Sequence, residues 1–264
     1  MNDNLKDKKI LITGATSGIG LYLSIHLAGK GAQLILIARS TEKLEIICHT
    51  LRKTYGGKVQ GYTADLSSDR DWEKVLKQIN EEIGVIDVLI NNAGMGIFEN
   101  VADSNWKDID QMIQINFSAL VRASHFWMPH FVQRKSGHIV NISSQSAKMA
   151  TPKSAVYSAT KHAVLGFSNA LRMEGAKDGV LVTTVNLGPV KTNFFKQADP
   201  SGNYEKAIAS LMLSPNSVAR MITNHLFTSK REINLPIWME AGSKVYQIMP
   251  SLIERLFARQ FASK

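Results

Sequence analysis

The stretch Lys9-Ile10-Leu11-Ile12-Thr13-Gly14-Ala15-Thr16-Ser17-Gly18-Ile19-Gly20 decides how this chain folds. A short apolar run passes straight into a turn holding three glycines, and then into Ile19, Leu23 and Leu27, which repeat at helical steps of four. Gly14, Gly18 and Gly20 fall where the chain must turn tightly. Without Cβ atoms there, a pyrophosphate can approach the backbone N–H groups and the helix N-terminus. Ordinary turns also hold glycines at such density; the position after a strand and before a helix makes this one a dinucleotide-loop candidate.

Outward from that segment the same rhythm repeats. Short β-branched runs at Lys9 to Thr13, Gln33 to Ala38, Lys58 to Thr63, Val85 to Asn91, His138 to Ile142, Val180 to Asn186 and Glu232 to Ile237 alternate with longer stretches of helical spacing. Among the latter are Leu44, Ile47 and Leu51, then Trp72, Val75, Leu76 and Ile79, then a long interval from Trp106 to Gln133. Such alternation predicts an α/β fold: a doubly wound domain of about seven parallel strands with helices on both faces. No linker-like or repeated segment divides it, so residues 1–241 are expected to form one domain, followed by a tail over 242–264.

Composition narrows the function classes. With 44% hydrophobic and 20% charged residues in 264, the chain has ample material for a buried core. No run approaches the length of a membrane span, and the polar N-terminus lacks a signal-type apolar block. The single cysteine, Cys48, forms no internal disulfide, and no Cys/His cluster has metal-ligand spacing. A cytoplasmic protein without a metal site is expected. The balance of 31 basic and 22 acidic residues gives a net charge of +9, but the basic residues are scattered, as a solvated surface has them, which argues against a nucleic-acid partner.

Three motifs in order resemble the short-chain dehydrogenase/reductase family: Gly14-x-x-x-Gly18-x-Gly20, Asn91-Asn92-Ala93-Gly94 after the fourth strand, and Tyr157-x-x-x-Lys161. The likeness extends over about residues 8 to 240. It implies that Gly14, Thr16, Ser17, Gly18, Ile19 and Gly20 line the pyrophosphate, with Asn92, Ala93 and Gly94 beside it. Pro189, Val190 and Thr192, within Gly188-Pro189-Val190-Lys191-Thr192, are implied to bind the nicotinamide carboxamide. Asp65-Leu66, after the third strand, is implied to border the adenine, although Asp65 is equally a helix-leading turn residue.

Where an NAD-preferring protein carries an acid at the end of the second strand, this chain has Ala38-Arg39-Ser40. A guanidinium without a neighbouring acid suits a 2′-phosphate, so NADP is expected over NAD; the alternative is a solvated helix-start Arg39. Tyr157 and Lys161 lie four apart in a segment, Ala155 to Lys177, that reads as a helix, so they share one face. An ammonium there favours the phenolate and makes tyrosine a usable acid–base group. Ser144 lies 13 positions before Tyr157 (157 − 144), the spacing of the family, which implies that its hydroxyl holds the substrate oxygen. Asn116 matches the family's fourth active-site residue, and also fits a buried polar residue bonding a kinked helix backbone.

These residues together predict hydride transfer between NADP(H) and a carbonyl or alcohol, with Asn116, Ser144, Tyr157 and Lys161 catalytic. The alternative is a dinucleotide-binding regulator or scaffold without turnover. Phe194, Phe195, Ile208, Leu211, Met212 and Leu213, with Met95, Ile97, Met149 and Ala150, either line an apolar substrate pocket or simply pack the covering helices. The resemblance implies a homodimer or homotetramer. In the tail, Leu252, Ile253, Leu256, Phe257 and Phe261 share one helical face, expected to pack on the domain or a partner subunit, with peripheral membrane contact as the alternative.

Overall fold

The computed structural model describes residues 5–256. Strand and helix alternate in the order β1 (Lys9–Thr13), α1 (Gly18–Ala28), β2 (Gln33–Ala38), α2 (Thr41–Tyr55), β3 (Val59–Thr63), α3 (Asp69–Ile83) and β4 (Val88–Asn91). The second half continues with α4 (Trp106–Ile113), α5 (Ala119–Arg134), β5 (Gly137–Ser144), α6 (Ala155–Ala176) and β6 (Val180–Leu187). Two short helices, α7 (Phe194–Ala198) and α8 (Asn203–Ile208), precede α9 (Pro215–Asn224), β7 (Glu232–Leu235), α10 (Ile237–Ile248) and α11 (Pro250–Leu256).

The seven strands form one parallel sheet in the order β3-β2-β1-β4-β5-β6-β7. Alternation along β1 divides the core: Ile10 and Ile12 join Leu23 and Leu27 of α1 and Val218 and Ile222 of α9 on one face. Leu11 joins Trp72 and Leu76 of α3 and Trp127 and Phe131 of α5 on the other. Strands buried on both faces must be apolar throughout, which is why β1 and β2 read as unbroken hydrophobic runs. Side-chain caps fix where helices start. Ser40 Oγ accepts from the Lys43 N–H at the head of α2, and Ser68 Oγ from the Asp71 N–H at the head of α3.

Chain order reverses between β1 and β4, where sequential crossovers leave toward opposite edges of the sheet. A crevice outside the carboxyl ends of the strands is expected at such a point. Three local expectations are corrected. The fourth strand begins at Val88 instead of Val85, because pairing with β1 starts at Ile10–Val88. The fifth extends to Ser144, since its register with β6 continues through Ser143–Asn186 and Ser144–Leu187. The seventh ends at Leu235: Pro236 has no N–H to continue a ladder and leads into α10, which spans Ile237–Ile248. Phe257 and Phe261 lie outside the described residues.

Candidate active site

The glycine turn is shaped by what surrounds it. Gly14 and Gly18 have φ of 66° and 52°, the left-handed region that glycine enters without strain. A Cβ on Gly20 would collide with the Gly14 carbonyl oxygen, and one on Gly18 would meet Thr192 Cγ2 at 2.9 Å. The end of β4 staples the turn: Asn92 Nδ2 donates to the Thr13 carbonyl at 2.9 Å and the Gly14 carbonyl at 3.2 Å. Thr13 Oγ1 accepts from the N–H groups of Asn92 and Ala93, both at 3.0 Å. Gly14, Thr16, Ser17, Gly18, Ile19, Gly20, Asn92, Ala93 and Gly94 thus gather at the reversal of strand order. Ser17 is the N-cap residue of α1 but makes no side-chain cap bond.

Beside this turn, α4 and α5 are joined by one π-helical turn, Gln114–Ser118, which carries Asn116. Asn116 is buried and bonds the Met95 backbone in both directions: its Oδ1 accepts from the Met95 N–H and its Nδ2 donates to the Met95 carbonyl, each at 2.8 Å. Nδ2 also donates to Thr160 Oγ1 at 3.1 Å, which ties the turn to α6. Lys161, also buried, donates from Nζ to the Ile142 carbonyl at 3.1 Å, while Ser143 Oγ donates to the Lys161 carbonyl at 3.3 Å. Those two bonds lock the end of β5 to α6. Gly94 sits between the parts: a Cβ there would lie 3.3 Å from Asn116 Oδ1 and 3.5 Å from Lys161 Nζ.

Tyr157 projects from the same helix face, its ring centroid 5.7 Å from Lys161 Nζ, and its hydroxyl shares a hydrogen bond with Ser144. Ser144 Oγ also accepts from the Ser146 N–H at 3.0 Å. Burial pushes the Tyr157 phenol up to about 12, against a smaller opposing effect of the Ser144 bond. Burial likewise brings the Lys161 ammonium down to about 8. With burial the dominant cause, the phenol keeps its proton at neutral pH.

Aromatic rings close the outer side. Phe98 and Phe194 each lie 5.7 Å from the Tyr157 ring, and Phe98 meets Tyr204 edge-on at 5.5 Å. Gly96 makes room for Phe194, since a Cβ there would reach its ring at 2.6 Å. Of the apolar residues expected at the pocket, Met95 is buried with Ile97 and Tyr157 packed nearby, whereas Leu213 packs on the core and pairs with Val190 and Leu211 is exposed. Thr192 Oγ1 accepts from the Phe194 N–H at 3.3 Å, and the Pro189 carbonyl accepts from the Leu213 N–H at 2.8 Å, so 189–192 is held by α7 and the strand-like bridge.

Farther along the crevice, Arg39 is exposed where β2 ends, Ser40 caps α2, and Arg39 helps to hold Asp65 below the usual carboxylate range. The larger cause is Ser67, whose hydroxyl and N–H donate to Asp65 at 2.7 and 3.0 Å, so Asp65 does act as a turn residue; Leu66 is buried behind it. Sequence reasoning missed the roles of Thr160, Phe98 and Tyr204. Nothing local marks them, because their partners are distant in the chain.

The short chain dehydrogenase model matches residues 8–202. An uncharacterized oxidoreductase of Listeria monocytogenes is 38% identical over 189 residues, covering 72% of this chain and 76% of its own. An 11-beta-hydroxysteroid dehydrogenase-like protein of Arabidopsis thaliana is 32% identical over 257 residues, 96% of this chain and 81% of its own. Among solved structures, a short-chain dehydrogenase from Sphingobium yanoikuyae in complex with NADPH superposes with a TM-score of 0.79 at 26% identity, over 92% of this chain and 95% of that one. An actinorhodin polyketide ketoreductase variant with NADPH gives 0.78 at 28% identity, over 87% and 95%. The sheet order, the glycine turn stapled by Asn92, and a family match over most of the chain lead to one assignment: this protein belongs to the short-chain dehydrogenase family of oxidoreductases.

Proposed function

We propose that the protein is an NADP(H)-dependent reductase of apolar ketones or aldehydes. The observation that carries this reading is the meeting of Ser144, Tyr157, Lys161 and Asn116 beside a glycine turn that opens onto the N-terminus of α1. The residues present fit that cofactor: Gly14 and Gly18 hold the positive φ of a turn that delivers the chain to the N-terminus of α1, where Ser17 makes no side-chain cap bond, and Arg39 at the end of β2 offers a cation for a 2′-phosphate. Both solved relatives named above hold NADPH, which supports the same choice here. NADP(H), when bound, supplies the hydride.

The chain's own residues handle the oxygen and the proton. Ser144 Oγ and the Tyr157 hydroxyl lie side by side; when a carbonyl oxygen enters between them, their mutual bond is given up and each turns its one proton to that oxygen and polarises it. Tyr157 then gives its proton to that oxygen as the alcohol forms; a phenol pushed up to about 12 is a proton reservoir at neutral pH. Lys161 places its ammonium next to the phenolate left behind, and Asn116 fixes the backbone at Met95 around which these groups are arranged. The ring cluster of Phe98, Phe194 and Tyr204 on the open side favours apolar carbon skeletons.

NADPH consumption with a panel of ketones and aldehydes tests the proposal. Turnover by the unmodified protein, and a fall of at least ~10²-fold in Tyr157→Phe with NADPH binding retained, are expected. Binding of NADPH without turnover of any carbonyl would favour a regulator that only senses the dinucleotide.

A further inference from the structure

Helix α10 turns its apolar side outward. Its polar side faces the domain, where the nearly buried Lys148 ammonium bonds Glu240 of α10 and Glu232 of β7, each at 2.7 Å, and Ser243 is buried. At about 100° per residue, Ile237, Trp238, Val245, Ile248 and Met249 fall within an arc of about 120° centred opposite Ser243. All five are open to solvent, with Ile237 78%, Trp238 57% and Ile248 79% exposed. Leu252 and Leu256 of α11 are exposed as well.

Charge borders this face on one side. Lys244 follows the arc's edge and belongs, with Lys148, Lys230 and Arg231, to the lining of a cavity of about 480 Å³. Those four cations share only two carboxylates: Glu232 pairs with Lys148 and, at 3.4 Å, with Arg231, and Glu240 with Lys148 and, at 3.6 Å, with Lys244, which leaves the rim with an excess of positive charge. An anionic bilayer is complementary to the rim and to the arc alike, and a tryptophan suits the depth of the headgroups. Among the described residues no helix is long and apolar enough to cross a membrane, so contact of this kind is peripheral.

We propose that α10, extended by α11, is a peripheral binding face for anionic lipid bilayers, with the apolar arc entering the headgroup boundary and Lys230, Arg231 and Lys244 meeting the lipid phosphates. This is independent of the catalytic assignment. The test is flotation of the full-length protein with vesicles of phosphatidylcholine alone and of phosphatidylcholine mixed with phosphatidylglycerol.

Binding to the mixed vesicles, weakened by added salt and by omission of the anionic lipid, is expected. Val245→Glu/Ile248→Glu and Lys230→Glu/Lys244→Glu should each reduce binding by at least about tenfold, with circular dichroism and thermal unfolding unchanged. Brominated lipid should quench tryptophan emission in the unmodified protein and much less in Trp238→Phe. Absence of flotation with the anionic vesicles, or flotation that both double variants leave intact, overturns the proposal. So does a dimer in solution that Val245→Glu/Ile248→Glu converts to monomer without any vesicle binding, since the face would then belong to a second copy.

Discussion

At the scale of single residues, the site works through displaced acidities. With the Lys161 ammonium brought down to about 8 and the Tyr157 phenol pushed up to about 12, the pair holds both protons below about pH 8. Rising pH removes the lysine proton first. The pH profile of kcat/KM for carbonyl reduction should therefore be flat below that point and fall as pH rises through about 8; a profile unchanged up to pH 10 would remove Lys161 from the reaction. Arg39 acts at the other end of the crevice. Replacing it with Ala should weaken NADPH by about 1.5–3 kcal/mol and leave NADH nearly unaffected, checked by titrating each cofactor. Equal losses for both would return Arg39 to an ordinary surface residue.

At the scale of elements, the turn from β1 to α1 and the end of β4 are one unit. Gly20→Ala would drive a methyl group against the Gly14 carbonyl and to 2.6 Å from Asn92 Nδ2, breaking the staple between them. We expect a loss of about 1–3 kcal/mol in thermal or denaturant unfolding together with impaired NADPH binding. The strands and the Tyr157–Lys161 helix were legible in the sequence because their signals are local: apolar runs of strand length, four-residue repeats, glycines at a strand-to-helix junction. Thr160 holding Asn116 across 44 residues, or Phe98 meeting Tyr204, leaves no such trace. The Tyr157 acidity escaped for a related reason. Spacing brings Lys161 to its side, but its burial involves Phe98 and, from α7, Phe194, which only the folded chain assembles around it.

At the scale of the whole molecule, acid tolerance turns on His138 in the core of β5. Nδ1 accepts from the Phe227 N–H at 3.1 Å, which leaves Nε2 to donate to Thr183 Oγ1 at 2.9 Å, and Thr183 Oγ1 donates onward to the Lys230 carbonyl. A second ring proton would point at the Phe227 N–H, and burial lowers the imidazole from its ordinary 6.5 to about 4. The unfolded chain takes that proton below about 6.5 while the folded one refuses it until about 4. Stability from this group is thus complete above about pH 6.5 and is lost as pH falls toward 4, by about 3 kcal/mol in total. Denaturant unfolding measured between pH 7 and 4 should show this slope, and His138→Gln should flatten it. The rings around Tyr157 bear on a different quantity. Phe98, Phe194, Phe195 and Tyr204 already shield one another, so a substrate entering between them exchanges one aromatic neighbour for another and removes little of the protein's apolar surface from water. The heat-capacity decrease on binding should then come mainly from the substrate's own apolar surface and little from the protein's, and affinity should come mainly from enthalpy, so that selection among carbon skeletons follows shape and stacking more than bulk hydrophobicity.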